Sequence, residues 1–282
     1  LLILLLKSRH LTEWITKLIF MHGSEKNVVV VIPLYSFELS ETEKKTLKHN
    51  LTILKKHPVV FLKPENLQLS LPELLPGFEI DQPVGFISFA NKYFISPQHY
   101  NKLLLKKEFY EKFSEYKYIL ICQQDVFIFS DELNFWINKK YDYIGAPWPF
   151  EDEKKILQAA RKSKISWWYF VTYKLNYWFF NKKNYAIGNG GLSLRNVKKS
   201  LFIVKLFSGV IKKYELNEDI FWSINAPLLN PFFRVPNLKD ALSFSFEKEP
   251  AYYYKMNDEK LPFGCHAWEK YEPDFWKKHI RT

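Results

Sequence analysis

Glycine is scarce in this chain, nine residues in 282, and cysteine and methionine are scarcer still at two each. The two cysteines, Cys122 and Cys265, are too few for a disulfide framework and lack zinc-finger spacing, which fits a reducing compartment. The opening LLILLLKSRHLTEWITKLIF is broken by Lys7, Arg9, Glu13 and Lys17 well short of the ~20 apolar residues that cross a bilayer. It has no Met at its start and no small-residue cleavage site after its apolar part. It therefore reads as an amphipathic helix or the edge of a truncated chain rather than a signal peptide. Phosphate-binding P-loop and dinucleotide fingerprints are both missing. RNP-like, helix-turn-helix and zinc-finger patterns are missing too, so no specific nucleic-acid partner is expected. No repeat, low-complexity tract or linker divides residues 27–282, which read as one domain preceded by the segment 1–26.

What the chain does have is apolar mass and positive charge. Hydrophobic residues make up 47 % and aromatics 18 %, enough for a large core and far from a disordered composition. A formal charge of +11 favours anionic partners, among them nucleotide phosphates, anionic lipid surfaces and nucleic acid, and does not choose among them.

The pattern along the chain is that of an α/β sheet. Asn27 opens NVVVVIPLY, a β-branched strand; Ser40 with Glu43 forms a capping box before Leu47, Leu51 and Leu54 recur at helical spacing; a second strand follows at residues 58–62. Residues 63–83 carry four prolines and read as a long loop. Ser96 and Pro97 start a helix containing Tyr100, Leu103 and Leu104. The run YILICQQDVFIF, residues 118–129, reads as a strand covered on both faces. Its only charge is Asp125, at a place where open α/β sheets bind ligands, and a structural carboxylate is the equal alternative. A helix from Ser130 with Leu133, Trp136 and Ile137, and a strand in YDYIGAPW, come next. The aromatic stretch SKISWWYFVTYKLNYWFFNK fits a seat on a membrane surface, a packed core helix or an aromatic wall for an acceptor.

Four local features carry candidate chemistry: Gln123 to Asp125, the turn GNGG ending in Gly190 and Gly191, the pair Glu218 and Asp219, and FGCHAW with His266. GNGG reads either as a tight turn needing positive φ at Asn189 or Gly190, or as a close approach of backbone to a sugar or diphosphate. Glu218 and Asp219 follow the N-cap candidate Asn217, so they complement a helix dipole or accept a proton from an attacking hydroxyl. His266 is either a packed histidine or a metal ligand.

In that order, these features resemble nucleotide-sugar glycosyltransferases of the GT-A fold. YILICQQDVFIF, YDYIGAPW, GNGGLSLR, NEDIFW and LPFGCHAW are similar to a bacterial domain family of unknown function found in glycosyltransferases. The resemblance implies a single GT-A-like (Rossmann-like) domain with a mixed, mostly parallel central sheet flanked by helices. It implies transfer of a sugar, with inversion, from a nucleotide-diphosphate donor, in the first instance a UDP-sugar, to a hydroxyl of a glycan or lipid-linked glycan. Asp125 then matches the last Asp of the family's metal motif, whose first Asp is Gln123 here, and His266 matches its late metal ligand for Mn²⁺ or Mg²⁺. Asp219 matches the base with Glu218 as the fallback, and Gly190 and Gly191 match the turn near the sugars. By analogy with that fold Tyr35 borders the nucleotide base, and Trp148 and Trp268 stack on a sugar face unless they are packing. A cytoplasmic protein with peripheral contact to the inner face of a membrane is the matching location. Two other classes remain: a metal-dependent phosphoester hydrolase, weakened by too few clustered Asp and His, and a basic membrane or nucleic-acid binding module.

Overall fold

The computed structural model describes residues 26–36, 38–68, 70–149 and 187–280. Both the segment 1–26, but for Lys26, and the aromatic stretch 163–182 lie outside them. The β-branched run forms β1 (Lys26–Pro33), with Val28, Val30 and Ile32 packed into a core on one face and Val29 and Val31 into a core on the other. A strand with no solvated face belongs in the middle of a sheet covered on both sides, and β1 is there. It pairs in parallel with β2 (Val59–Pro64) on one side, which continues to β3 (Val84–Phe89), and with β4 (Tyr116–Cys122) on the other. Then come β5 (Val126–Ile128), β6 (Tyr143–Ile144), β7 (Leu192–Asn196), β8 (Ser245–Phe246) and β9 (Gly264–His266). The main sheet has the order β3-β2-β1-β4-β7-β6, in which β7 runs against its neighbours. Leu47 and Leu51 of the helix Glu41–Ile53 cover one face. Helices Pro97–Leu103, Lys107–Glu111 and Val197–Leu206 supply Tyr100, Phe109, Tyr110 and Ile203 to the other. This is the expected mixed, mostly parallel sheet flanked by helices. Among the described residues no helix is long and apolar enough to cross a membrane.

Several local expectations are corrected. The run 118–129 is two strands: β4 ends at Cys122, the Val126 N–H donates to the Gln123 carbonyl at 3.1 Å to close a turn, and β5 enters a second sheet of order β5-β9-β8. After the polar triplet at 123–125, Val126 and Ile128 stay in the core of the main sheet while Phe127, on the other face of β5, joins a separate cluster with Phe246, Cys265 and Trp276. The loop 63–83 carries a short helix, Leu71–Leu74, and leads into β3, whose half-exposed VGFISF gave little strand signal. YDYIGAPW contributes only β6 and a bridge from Pro147 to Ile187. The helix expected from Ser130 begins at Leu133, its N-cap position taken by Glu132, while the Ser130 hydroxyl donates to the Glu132 carboxylate. By contrast, the Ser40–Glu43 capping box forms with both hydrogen bonds.

The helix Glu41–Ile53 also closes the free edge of β5. Asn50 donates to the Val126 carbonyl at 2.6 Å and accepts from the Ile128 N–H at 2.9 Å, standing in for a neighbouring strand, and a ring nitrogen of His49 lies 2.8 Å from the Ile128 carbonyl. Edge backbone groups satisfied in this way are protected from pairing with another chain. Replacing Asn50 by Leu strips partners from two buried backbone groups, each worth about 1–3 kcal/mol. Chemical denaturation of Asn50→Leu is expected to show a loss of roughly 2–4 kcal/mol; a loss below about 1 kcal/mol would remove the edge role.

Candidate active site

The chain leaves β1 for β2 and β3 on one side and then returns to β4 on the other side of β1. That reversal opens a crevice beyond the carboxyl ends of β1 and β4, the usual ligand position of such sheets. Tyr35 follows β1 and Gln123 to Asp125 follow β4, so both flank the crevice. The Tyr35 ring is 37 % exposed and meets the edges of Tyr100 and Phe94. Burial, with the Asp125 charge second, pushes its phenol pKa up.

The second sheet brings a histidine to that turn. Antiparallel pairing sets Val126 opposite His266, and the Ala267 N–H donates to the Asp125 carbonyl at 3.0 Å. His266 Nε2 lies 3.1 Å from Asp125 Oδ1 and 3.2 Å from Gln123 Oε1, while Nδ1 lies 3.3 Å from Glu247 Oε1. Burial opposes a charge on the imidazole, but Asp125 and Glu247 outweigh it and raise the His266 pKa to about 10. Burial likewise works to raise Asp125, and His266 outweighs it and leaves the carboxylate below its ordinary value. The Asp125 side chain is 43 % exposed even with this contact in place.

The glycine-rich turn is a floor beneath these side chains. The Gln123 N–H donates to the Gly191 carbonyl at 3.0 Å, and the Gly191 N–H donates to the Asn189 side chain at 2.7 Å. Neither Asn189 nor Gly190 has the positive φ that a tight turn was expected to need. Glycine is required for space instead. A Cβ on Gly191 would overlap the His266 ring, and one on Gly190 would overlap the Glu218 carboxylate.

Glu218 and Asp219 open the helix Glu218–Ile220 as expected, though Asn217 makes no side-chain cap there. The two carboxylates differ sharply. Glu218, 2 % exposed, accepts from both terminal nitrogens of Arg195 at 2.8 and 2.9 Å. Arg195, fully buried on β7, also donates to Ser193 Oγ and lies over the Tyr143 ring. Burial opposes its charge, and Glu218 more than restores it. Asp219 is part-buried and accepts from the Ile220 N–H at 2.7 Å. Burial first, and the adjacent Glu218 charge second, raise its pKa to about 8.

Of the remaining candidates, Trp148 is 9 % exposed and packs with Ile220, and Trp268 meets the edge of Phe127 with its buried Nε1 unpartnered among the described residues. Both are held in apolar clusters, so stacking on a sugar needs only the ring surface that these contacts leave. Cys122 and Cys265 are buried, and burial pushes the Cys122 thiol up to about 12, which removes thiolate chemistry. Among the described residues no group of three or more His, Cys, Asp or Glu is placed to hold a metal ion.

Three side chains packed against these candidates escaped the sequence. Arg195 and Ser193 stand two positions apart in LSLR and so share one face of β7. Glu247 carried no signal, since only strand pairing sets it beside His266.

Residues 83–266 match the family model described as Protein of unknown function (DUF5672), and the chain belongs to that family. No curated protein matches the sequence. Among solved structures, the fold is similar to that of mouse xyloside xylosyltransferase 1 in its apo form. That pair shares 10 % identity over 86 % of this chain and 97 % of the mouse chain, with a TM-score of 0.50. Weaker likenesses are to the glycosyltransferase GlyE of Streptococcus pneumoniae TIGR4, at 14 % identity, 90 % and 60 % coverage and TM-score 0.47, and to core-mannan synthase A of Aspergillus fumigatus in its Mn/GDP form, at 12 %, 78 % and 74 %, and 0.44. The first likeness shows a shared fold.

Removing Arg195 would leave Glu218 charged and uncompensated in the interior, typically about 3–5 kcal/mol. Arg195→Met is expected to lose that much by urea denaturation, and Arg195→Met with Glu218→Leu to recover most of it. Equal losses in the two variants would mean that packing, not charge, is at stake.

Proposed function

We propose that this member of the DUF5672 family is a glycosyltransferase that moves a sugar from a nucleotide-diphosphate donor to a hydroxyl of a glycan acceptor, with inversion. The observation that carries this reading is the 3.1 Å meeting of Asp125 and His266 at the crevice between β1 and β4, beside the turn and acidic helix start. A xylosyltransferase with the same fold is consistent with sugar transfer.

The donor atoms present fit a divalent cation. Asp125 Oδ1 and Gln123 Oε1 stand 3.1 and 3.2 Å from His266 Nε2, close to the ~3 Å between adjacent ligands of an octahedral ion with ~2.1 Å bonds. Gln123 supplies an oxygen where the family pattern has a carboxylate, so the ligand set loses a charge but not a donor. Bound there, Mn²⁺ or Mg²⁺ would neutralise the charge that develops on the leaving diphosphate.

Asp219 is the proposed base and acts alone, because Glu218 is taken up by Arg195. It accepts the acceptor hydroxyl proton as that oxygen bonds to the anomeric carbon, while the diphosphate departs with the electrons of the old bond. A pKa near 8 suits this role close to neutral pH. Tyr35 borders the donor base in this reading, Gly190 and Gly191 lie near the sugars, and Trp148 and Trp268 face the acceptor. The +11 charge suits an anionic donor, a UDP-sugar in the first instance, and an acceptor carried on a lipid at the inner membrane face.

A thermal-shift screen of nucleotide sugars with and without Mn²⁺ tests the donor: one donor is expected to stabilise the protein, and Asp125→Ala to lose the Mn²⁺-dependent part. No stabilisation by any donor would overturn the reading. Asp219→Asn is expected to keep donor binding and lose transfer by about 10²–10⁴-fold; full transfer in the purified variant would overturn the base assignment.

The same group predicts a pH dependence. Unfolded, Asp219 releases its proton near 4; folded, it holds the proton to about 8. Its contribution to stability is therefore complete below about 4 and is lost as pH rises to about 8. Asp219→Asn is expected to flatten this slope in denaturation curves and to remove an acid limb near pH 8 from kcat/KM. An unchanged slope would return Asp219 to an ordinary surface carboxylate.

A further inference from the structure

The second sheet does more than deliver His266. Its strands β8 and β9 run parallel, with Ser245 beside Gly264 and Phe246 beside Cys265. One residue further, that register sets Glu247 beside His266. On the other side of β9, Val126 is opposite His266 and Asp125 precedes it. Asp125, His266 and Glu247 thus form a row across one end of the sheet, from β5 through β9 to β8.

Glu247 is buried, with its Oε1 3.3 Å from His266 Nδ1. Among the described residues Nδ1 is buried and meets no partner in hydrogen-bond geometry, so the 3.3 Å ion pair leaves Glu247 as the group that faces it. Nε2, at the far side of the ring, faces Asp125 and Gln123. Gly191 closes the ring from below, where a Cβ would overlap it. An imidazole held this way has only one nitrogen turned toward the crevice. A buried carboxylate behind the other nitrogen fixes the tautomer and makes the outward nitrogen a better electron donor.

We propose that Glu247 is a positioning residue that acts through His266, holding Nδ1–H so that Nε2, once it has released its proton to solvent, presents its lone pair beside Asp125 and Gln123 to a divalent cation. The proposal rests on the cation-binding reading of the site given above. It differs from a merely structural role, in which Glu247 stabilises the second sheet and cation affinity does not depend on it.

Manganese titration of the whole chain, read by electron paramagnetic resonance of the free ion without any sugar donor, separates the two. Glu247→Ala is expected to weaken Mn²⁺ binding by about 10- to 100-fold. Glu247→Gln, which keeps an oxygen at the same reach, is expected to lose less, and it serves as the second variant should Glu247→Ala fold poorly by circular dichroism. His266→Ala with Glu247→Ala is expected to bind no more weakly than His266→Ala alone, because the carboxylate acts through the ring. Wild-type affinity in both folded Glu247 variants, with His266→Ala weakened, overturns the positioning role and leaves the cation site standing. Absence of Mn²⁺ binding to the wild type overturns the cation reading itself, and the positioning role with it.

Discussion

The buried pair of Arg195 and Glu218 is the constraint around which the site is built. Taking two charges out of water costs several kcal/mol per ion, and only close, well-directed contacts offset that. Here the guanidinium fork meets both carboxylate oxygens, and its Nε and Nη2 also donate to Ser193 Oγ while the Tyr143 ring covers its face. The pair joins β7, which lies between β4 and β6 in the main sheet, to the first turn of the acidic helix. Asp219 is thereby set against a fixed point rather than on a free loop. Gly190 follows from the same pair, since the carboxylate occupies the space that a Cβ would need.

A second constraint meets the first at the glycine-rich turn. The small sheet hangs from the Gln123–Val126 turn and carries His266 back over Gly191, so one glycine turn seats Glu218 through one residue and His266 through the next. Four carboxylates, Asp125, Glu218, Asp219 and Glu247, gather around two cationic side chains in a protein that is basic as a whole. Such a neighbourhood favours an added cation and disfavours a bare anion. A diphosphate donor would need positive charge supplied with it, which is the physical case for a divalent ion. The crowding of acids also contributes to Asp219 holding its proton, after burial itself.

Much of this was legible residue by residue. VVVVIP declared a strand through its run of β-branched residues, and Ser40 with Glu43 declared its helix start because capping is local chemistry. Asp125, the glycine turn, the acidic pair and His266 stood out as polar or flexible residues set against apolar runs. What their side chains face was not legible. Glu218 and Asp219 look equivalent in sequence, and only Arg195, 23 positions earlier, separates a buried ion-pair partner from a part-buried carboxylate. Trp148 and Trp268 look like sugar platforms as much as core, and their neighbours Ile220 and Phe127 come from elsewhere in the chain.

Sequence alone determined the sheet class, the first strand and the chemical types available, because periodicity, capping and turn chemistry act over a few residues. Tertiary structure decided where the run 118–129 breaks, since β5 is drawn to apolar partners more than a hundred residues away. It decided why the glycines are glycines, through space filled by Glu218 and His266 and not through backbone angle. Strand register also set Glu247 behind His266, and register is a property of paired strands that neither strand carries by itself.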